Sequence, residues 1–357
     1  MGYVILFTIS VPILVWIGKK LRSWELIMAI CIVMICIAGL RHGYIDTRAY
    51  RHGYEALQPA EVLSANFLWG EEFEDSKDKG FAVLSALIKQ IFPDSQAFLF
   101  IMSLITVGLF FWGFIRQSPN MELSIFLFIA TGLYIDTMNG LRQCLVAAVL
   151  FYFLPNLLKE RKMAKYMLLV ALMSTIHMSA LIFVFIYFLA DKPAWSPFTW
   201  IITGLALLAY AYFNSGVGAA LVELLDGTVY GEDYADMLLQ GNTSVNVIRI
   251  AVAAAPILLS LMTRGGENRG KPMYNIVFHM SLLNLLCWIF ASKVLYFYRL
   301  ATYFTPYMIL LMCYEVKAFT ELRDRRLVTN TIYGCYFAYH MYSCYVMWPQ
   351  LLGYLKY

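Results

Sequence analysis

The sequence predicts an all-α, polytopic integral membrane protein of about 11 hydrophobic segments. Three observations carry this. Of the 357 residues 61% are hydrophobic and 14% charged, against about 25% charged in soluble domains. Mean hydropathy is +0.65. The apolar residues also fall in long runs, near the roughly 20 residues a helix needs to cross a bilayer. A soluble enzyme, a disordered chain and a nucleic-acid-binding module are excluded. The 25 Tyr and 25 Phe suit aromatic belts at the membrane interfaces.

The runs fall at 3–17, 25–40, 96–115, 122–135, 141–158, 166–190, 198–213, 246–262, 274–292, 295–314 and 328–347. The first lacks a basic leader and a small-residue cleavage site, so it reads as a span. Residues 81–92 are too few to cross and carry Lys89 and Gln90, which predicts an interfacial helix. Segment 122–135 is short and is expected to continue through Asp136 and Thr137. The most hydrophilic stretch, 41–80, holds eight acidic and five basic residues, and 214–245 holds five acids and no base. With no linker, low-complexity tract or repeat period, 1–357 reads as a single membrane-embedded domain. Its two large loops are 41–95, with the interfacial helix, and the acidic 214–245. A short echo, Arg41-His42-Gly43-Tyr44 and Arg51-His52-Gly53-Tyr54, has the length of a coincidence.

Orientation follows the Lys and Arg of short loops. Lys19, Lys20 and Arg22 put the first loop in the cytoplasm and 41–95 outside. Lys159, Arg161, Lys162 and Lys165 return to the inside. If 166–190 crossed once, seven later basic residues (Arg264, Arg269, Lys271, Lys317, Arg323, Arg325 and Arg326) would face outward. A segment that enters and returns restores the rule. Two spans would need about 40 residues, so 166–190 is expected to be re-entrant or broken at its polar centre, Ser174–Ser179. Then 214–245 faces out, while 263–272 and 316–327 face in.

Ionisable groups in or beside spans are expensive and mark functional candidates. They are Arg41, Asp46, Arg48, Asp136, Arg142, His177, Arg249, His279, Lys293, Arg299 and His340. Five of them, Arg41, Arg142, Arg249, Lys293 and Arg299, gather at the predicted outer interface. Arg grips phosphate oxygens bidentately, so a lipid-linked diphosphate is the expected ligand. Arg249 and Lys293 also fit simple snorkelling to head groups. Arg142 stands out because it opens a span within Asn139-Gly140-Leu141-Arg142-Gln143, where glycine permits close approach. His279 and His340 read as core histidines and Asp136 as a helix cap. The seven cysteines lie inside apolar runs and read as packing residues.

Four stretches resemble the motifs of EpsG-type, or Wzy-type, polysaccharide polymerases. The first runs from Gly39 through Arg41 and Asp46 to Tyr50. The second is Asn139–Gln143 with Ala147. The third is Ile176-His177-Met178-Ser179-Ala180, and the fourth is Tyr298-Arg299-Leu300 with Tyr303-Phe304. They occur in the family's order. One position departs: the residue before the Asp is more usually Gly and here is Ile45.

The resemblance implies a membrane glycosyltransferase of the C class in the bacterial cytoplasmic membrane, multi-pass, with an outward-facing site. It would move a growing glycan from undecaprenyl diphosphate to the non-reducing end of another lipid-linked repeat unit, for an exopolysaccharide, capsule or O-antigen. Donor and acceptor would both be undecaprenyl-diphosphate-linked oligosaccharides. Membrane lipids and a chain-length regulator would be partners, and nucleic acid would not.

The departing diphosphate needs fixed cations, for which Arg142 and Arg299 are expected, with Arg41. Asn139, Gln143 and Tyr298 support them. The acceptor hydroxyl must lose a proton, for which Asp46 and His177 compete. No dense carboxylate cluster is present in the spans, so no cofactor and no obligatory metal are expected, Asp46 with Asp136 being the only weak pair. The rival readings are a glycan ligase of the same class and a lipid-linked oligosaccharide flippase, the latter expected to show paired broken helices.

Overall fold

A computed structural model describes residues 2–64, 78–189, 192–216, 220, 246–263 and 266–347, and every regular element among them is helical. In chain order the helices are α1 (Gly2–Leu21), α2 (Trp24–Gly39), α3 (Thr47–Ala56), α4 (Lys79–Ile91), α5 (Ser95–Gln117), α6 (Met121–Ala130) and α7 (Leu141–Lys159). There follow α8 (Met163–Ile176), α9 (Ile182–Leu189), α10 (Pro197–Ala211), α11 (Val247–Thr263), α12 (Pro272–Ala291), α13 (Phe297–Ala318) and α14 (Leu322–Tyr342). Residues 65–77 of the first large loop, and 217–219 and 221–245 of the acidic loop, lie outside the described residues. Among the described residues, α5, α7, α12 and Tyr3–Leu21 of α1 are long and apolar enough to cross a membrane, with several shorter apolar helices beside them. The chain is a polytopic membrane protein.

It divides into two compact units. The first comprises Met1–Leu154, Ala164–Leu181 and Phe319–Tyr357, the second Pro155–Met163 and Ile182–Ala318.

In the first unit, α1 ends on Lys19 and Lys20, where positive charge suits the negative end of the helix dipole. Ser23 Oγ accepts from Leu26 N at 3.2 Å and starts α2. Asp94 caps α5 in the same way, at 2.9 Å to Ala97 N. A Cβ at Gly113 of α5 would lie 2.6 Å from the Phe151 ring of α7, so these helices meet at a glycine.

The expected continuous segment 122–137 is instead broken. Thr131 Oγ1 donates to the Leu127 carbonyl at 2.7 Å, and Gly132 takes φ +89°, a conformation that ends a helix. A single turn, Leu133–Asp136, follows. The expected helix over 81–92 is present as α4.

The first large loop is pinned to α4 and α5 through main-chain and aromatic contacts. Tyr54 of α3 is 2% exposed, stacks on Phe98 at 4.2 Å and donates to the Phe92 carbonyl at 2.7 Å. Lys89 Nζ of α4 donates to the carbonyls of Tyr54, Glu55 and Leu57 at 2.7, 2.8 and 2.8 Å. These carbonyls end α3 and have no N–H donor inside it.

The break expected within Ser174–Ser179 falls at His177. There α8 stops, and a 3₁₀ turn, Met178–Leu181, precedes α9.

In the second unit, α12 and α13 form the closest helix pair, with α10 and α11 against them. His279 is a satisfied core residue, as expected. Its Nδ1 donates to the Asn275 carbonyl at 2.8 Å and its Nε2 accepts from the Thr199 hydroxyl at 3.1 Å. Glu315, not singled out from sequence, is fully buried and accepts from the Tyr274 hydroxyl at 2.7 Å and from Thr263 Oγ1. His340 of α14, in the first unit, is buried as expected.

Candidate active site

Within the first unit the second and third motifs meet on a residue that lies in neither. Asp78 precedes α4 with φ +58°. Its side chain is 4% exposed and accepts from Arg142 Nη1 at 2.7 Å. The same oxygen lies 3.2 Å from His177 Nδ1, and its other oxygen accepts from Met178 N at 3.2 Å. Asp78 does not cap α4 with its side chain. The left-handed backbone turns the carboxylate to the helix-break residues instead.

The approach of α4 to α8 is set by Gly80. A Cβ there would collide with Thr175, coming 2.8 Å from its backbone carbonyl carbon. Only glycine lets the start of α4 sit against the end of α8, and this contact brings Asp78 to His177.

Arg142 opens α7. The turn before it is closed by the Asp136 carbonyl, which accepts from Asn139 N at 3.0 Å and Gly140 N at 3.1 Å. Asp136 thus ends the turn ahead of α7, and the Gly140 carbonyl accepts the first bond of the helix, from Cys144 N at 2.8 Å. A Cβ at Gly140 would meet nothing within 4 Å, so the backbone there is open to approach. The Arg142 side chain is 39% exposed, and its guanidinium faces the Phe81 ring at 5.9 Å and donates to the Tyr50 hydroxyl. Burial raises the Tyr50 phenol above its ordinary pKa although Arg142 pulls it down. Tyr50 is therefore neutral at physiological pH.

A cavity of about 290 Å³ adjoins this cluster, lined among others by Tyr50, Tyr54, Asp78, Phe81, Ser85 and Arg142. Ser85 Oγ is buried in it without a hydrogen-bond partner.

Asp46 immediately precedes α3, exposed, with no side-chain cap bond, and its charge acts on Tyr50. Ile45 before it takes φ +38°, the left-handed region that favours the glycine of the family pattern.

Arg41 follows α2 and is held differently. Its Nε donates to Thr47 Oγ1 at 3.1 Å, and its Nη1 to Ser103 Oγ at 3.2 Å and to the Ala38 carbonyl. Arg51 Nη2 donates to the Arg41 carbonyl at 3.2 Å and to Gln96 Oε1. The echoed Arg-His-Gly-Tyr stretches thus come together. Burial draws Arg41 down to about 10, Tyr134 and Tyr50 oppose this, and the Arg51 charge adds to it. Arg41 also lines a larger cavity, about 690 Å³, with Phe7, Ile37, Tyr44, Tyr134 and His340.

Arg299 belongs to the second unit. It is exposed in the first turn of α13, 5.8 Å from the Tyr296 ring, and the Tyr298 carbonyl accepts from Thr302 Oγ1 at 3.4 Å. Arg249 lies 5.1 Å from the Trp288 ring and Lys293 5.2 Å from that of Tyr210. Gln143 is half-buried one residue past Arg142.

The fold therefore joins Arg142 to His177 through Asp78, with Tyr50 beside them. Neither Asp78 nor Tyr50 was assigned a role from sequence. Tyr50 closes the first motif. Asp78 is one of eight acids in 41–80, and an acid before an apolar helix reads as a cap.

The model of the EpsG family matches residues 24–357. The chain belongs to the EpsG family. No curated protein and no solved structure matches it. EpsG is a Wzy-type, polysaccharide-polymerase-like family of multi-pass membrane proteins. All four motifs and Asp78 lie within the stretch that carries the EpsG match.

Proposed function

We propose that this EpsG-family protein is a polysaccharide polymerase of the glycosyltransferase C type. It transfers a growing glycan from undecaprenyl diphosphate to the non-reducing end of a second lipid-linked repeat unit, at the outer face of the cytoplasmic membrane. One observation carries the reading: a partly exposed arginine, Arg142, and an imidazole, His177, share one buried carboxylate beside a cavity. A cation for a leaving diphosphate and a base for an attacking hydroxyl are the two groups the reaction needs.

In this reading the acceptor hydroxyl oxygen bonds to the anomeric carbon of the donor as its bond to the diphosphate oxygen breaks. The proton passes to His177, and negative charge grows on the diphosphate within reach of Arg142. Asp78 on Nδ1 orients the ring and leaves Nε2 to accept the proton, the logic of a base held by a third group. The arrangement favours His177 over Asp46 as base, because Asp46 is exposed and its side chain makes no cap bond. Tyr50 and the unpartnered Ser85 hydroxyl supply neutral hydrogen-bonding groups for sugar. The role of Arg299 on the diphosphate rests on its motif, and Arg299→Lys tests it separately.

Purified protein incubated with lipid-linked repeat units should give a ladder of products. A single transfer product would mean a ligase, and no covalent product a flippase or scaffold. Orientation is tested by single cysteines in a cysteine-free background. His52 should label from outside with an impermeant reagent, and Asn268 from the cytoplasm. Labelling of both from one side would require 166–190 to cross the membrane once.

A further inference from the structure

We propose that Asp78 is a built-in stand-in for the anionic substrate: its carboxylate neutralises Arg142 in the empty site and yields that guanidinium to a diphosphate when one arrives. The inference rests on the reading of Arg142 as a diphosphate ligand and adds a positioning residue outside the motifs.

Three features of the cluster lead to it. The first is the asymmetry of the pair, since Arg142 is 39% exposed and Asp78 4%. The arginine side chain keeps an open flank beside the cavity, while the carboxylate is enclosed behind it.

The second is the number of anchors. Asp78 keeps His177 Nδ1 at 3.2 Å and Met178 N at 3.2 Å once Arg142 is withdrawn. The carboxylate would thus lose one of three partners and remain satisfied, as a buried charge must. Arg142 in turn gains a second anion in place of the first, and keeps its contacts to Tyr50 and Phe81.

The third is repulsion. A diphosphate oxygen and a carboxylate on the same side of one guanidinium are like charges a few ångströms apart, and each disfavours the other. Exchange removes this conflict. It also leaves the Asp78 charge facing His177 alone, where it stabilises the imidazolium formed as the acceptor proton is taken up. Binding of the leaving group and readiness of the base would so be linked through one carboxylate.

The test measures inorganic pyrophosphate and undecaprenyl diphosphate binding to the purified full-length chain in detergent, with polymer formation measured alongside. Asp78→Asn removes the competitor and should bind pyrophosphate roughly 10-fold more tightly, the lower end of the value of a charge-assisted hydrogen bond. The same variant should polymerise at least about 10-fold more slowly, because His177 has lost its charged anchor. Tighter binding with slower turnover is a split that general loosening of the fold does not produce. Asp78→Glu keeps the competing charge and should bind within about two-fold of the native chain.

A second measurement needs no substitution. Carbodiimide labelling of Asp78 in the native chain should rise when pyrophosphate is added, as Arg142 withdraws from the carboxylate it covers. Unchanged or weaker binding by Asp78→Asn, or labelling that fails to rise, overturns the role of Asp78 provided that Arg142→Gln abolishes binding. If Arg142→Gln binds pyrophosphate as the native chain does, the diphosphate reading itself is wrong.

Discussion

Arg41 and Arg142 occupy similar places in the sequence, one just after an apolar run and one at the start of another, each within a family motif, yet they are held in opposite ways. The Arg41 guanidinium is bonded to the Ala38 carbonyl at the end of α2, to Ser103 and to Thr47, and its main-chain carbonyl accepts from Arg51. Its acceptors are neutral and internal, and they tie the end of α2 to α3 and α5. Arg142 instead has a charged partner, a phenol and an aromatic face, and a large exposed fraction beside a cavity. One arginine braces the scaffold through its Nε and Nη1, with only its buried Nη2 unpartnered, and the other is available for exchange. The type of residue is the same, so the difference lies in what its donors already touch.

The comparison breaks most sharply at the chemistry around Arg142. His177→Ala should lower polymer formation by about 10²–10⁴, the range of a general base, at normal membrane insertion. Asp46→Asn should lose no more than about 10-fold. Polymerisation that survives the first change and fails on the second would make Asp46 the base and leave His177 a spacer.

The two arginines can then be set against each other directly. Arg142→Lys keeps the charge and loses the fork, and should cost roughly 10- to 150-fold in rate with an unchanged melting temperature. Arg41→Lys should do the reverse, lowering the melting temperature in detergent by roughly 5 °C while activity per folded molecule stays near native. If both variants lose only activity, Arg41 is a ligand too and the contrast fails.

Gly80→Ala is a third probe, at a residue that has no side chain to take part in the chemistry. It should push α4 away from α8 and part Asp78 from His177, with activity down about 10-fold, as for a modest displacement of catalytic groups. Native activity in this variant would show that the junction of α4 and α8 does not set the site.

The smallest effect expected is at Ile45. A β-branched residue at φ +38° carries strain of about 1–3 kcal/mol, partly offset by the extra freedom glycine has when unfolded, about 0.5–1 kcal/mol. Ile45→Gly should therefore raise the melting temperature slightly. A fall would mean that Ile45 is held by contacts rather than tolerated.

The sequence made the membrane class readable because apolar runs report directly on the solvent a helix faces. Charge asymmetry between loops pointed to the break in 166–190, and polar residues at its centre gave its position, His177. The break at Thr131–Gly132 was hidden because Phe126–Ala130 and Leu133–Ile135 are apolar on both sides of it. Arg142 and His177 could be found singly by their motifs. Their meeting could not, since Asp78 is 64 residues from one and 99 from the other. What joins them is a close approach at Gly80, which leaves no trace in hydropathy. Arg41 was legible as unusual and illegible as a brace, because the number of donors already engaged is a property of packing alone.

Lys89 has a consequence for how such a protein can change over generations. It grips the first large loop mainly by three main-chain oxygens, those of Tyr54, Glu55 and Leu57, its Nζ also lying 5.6 Å from the Tyr54 ring. A latch that recognises backbone is indifferent to the side chains it fastens. Ala56 is exposed, and substitution there can alter the exposed face of the loop while its course over α4 and α5 is retained, whereas the Glu55 carboxylate accepts from Ser95 Oγ of α5 at 2.7 Å and is part of the fastening. Surface identity and scaffold are thereby uncoupled, which would let closely related chains handle different glycans on one framework.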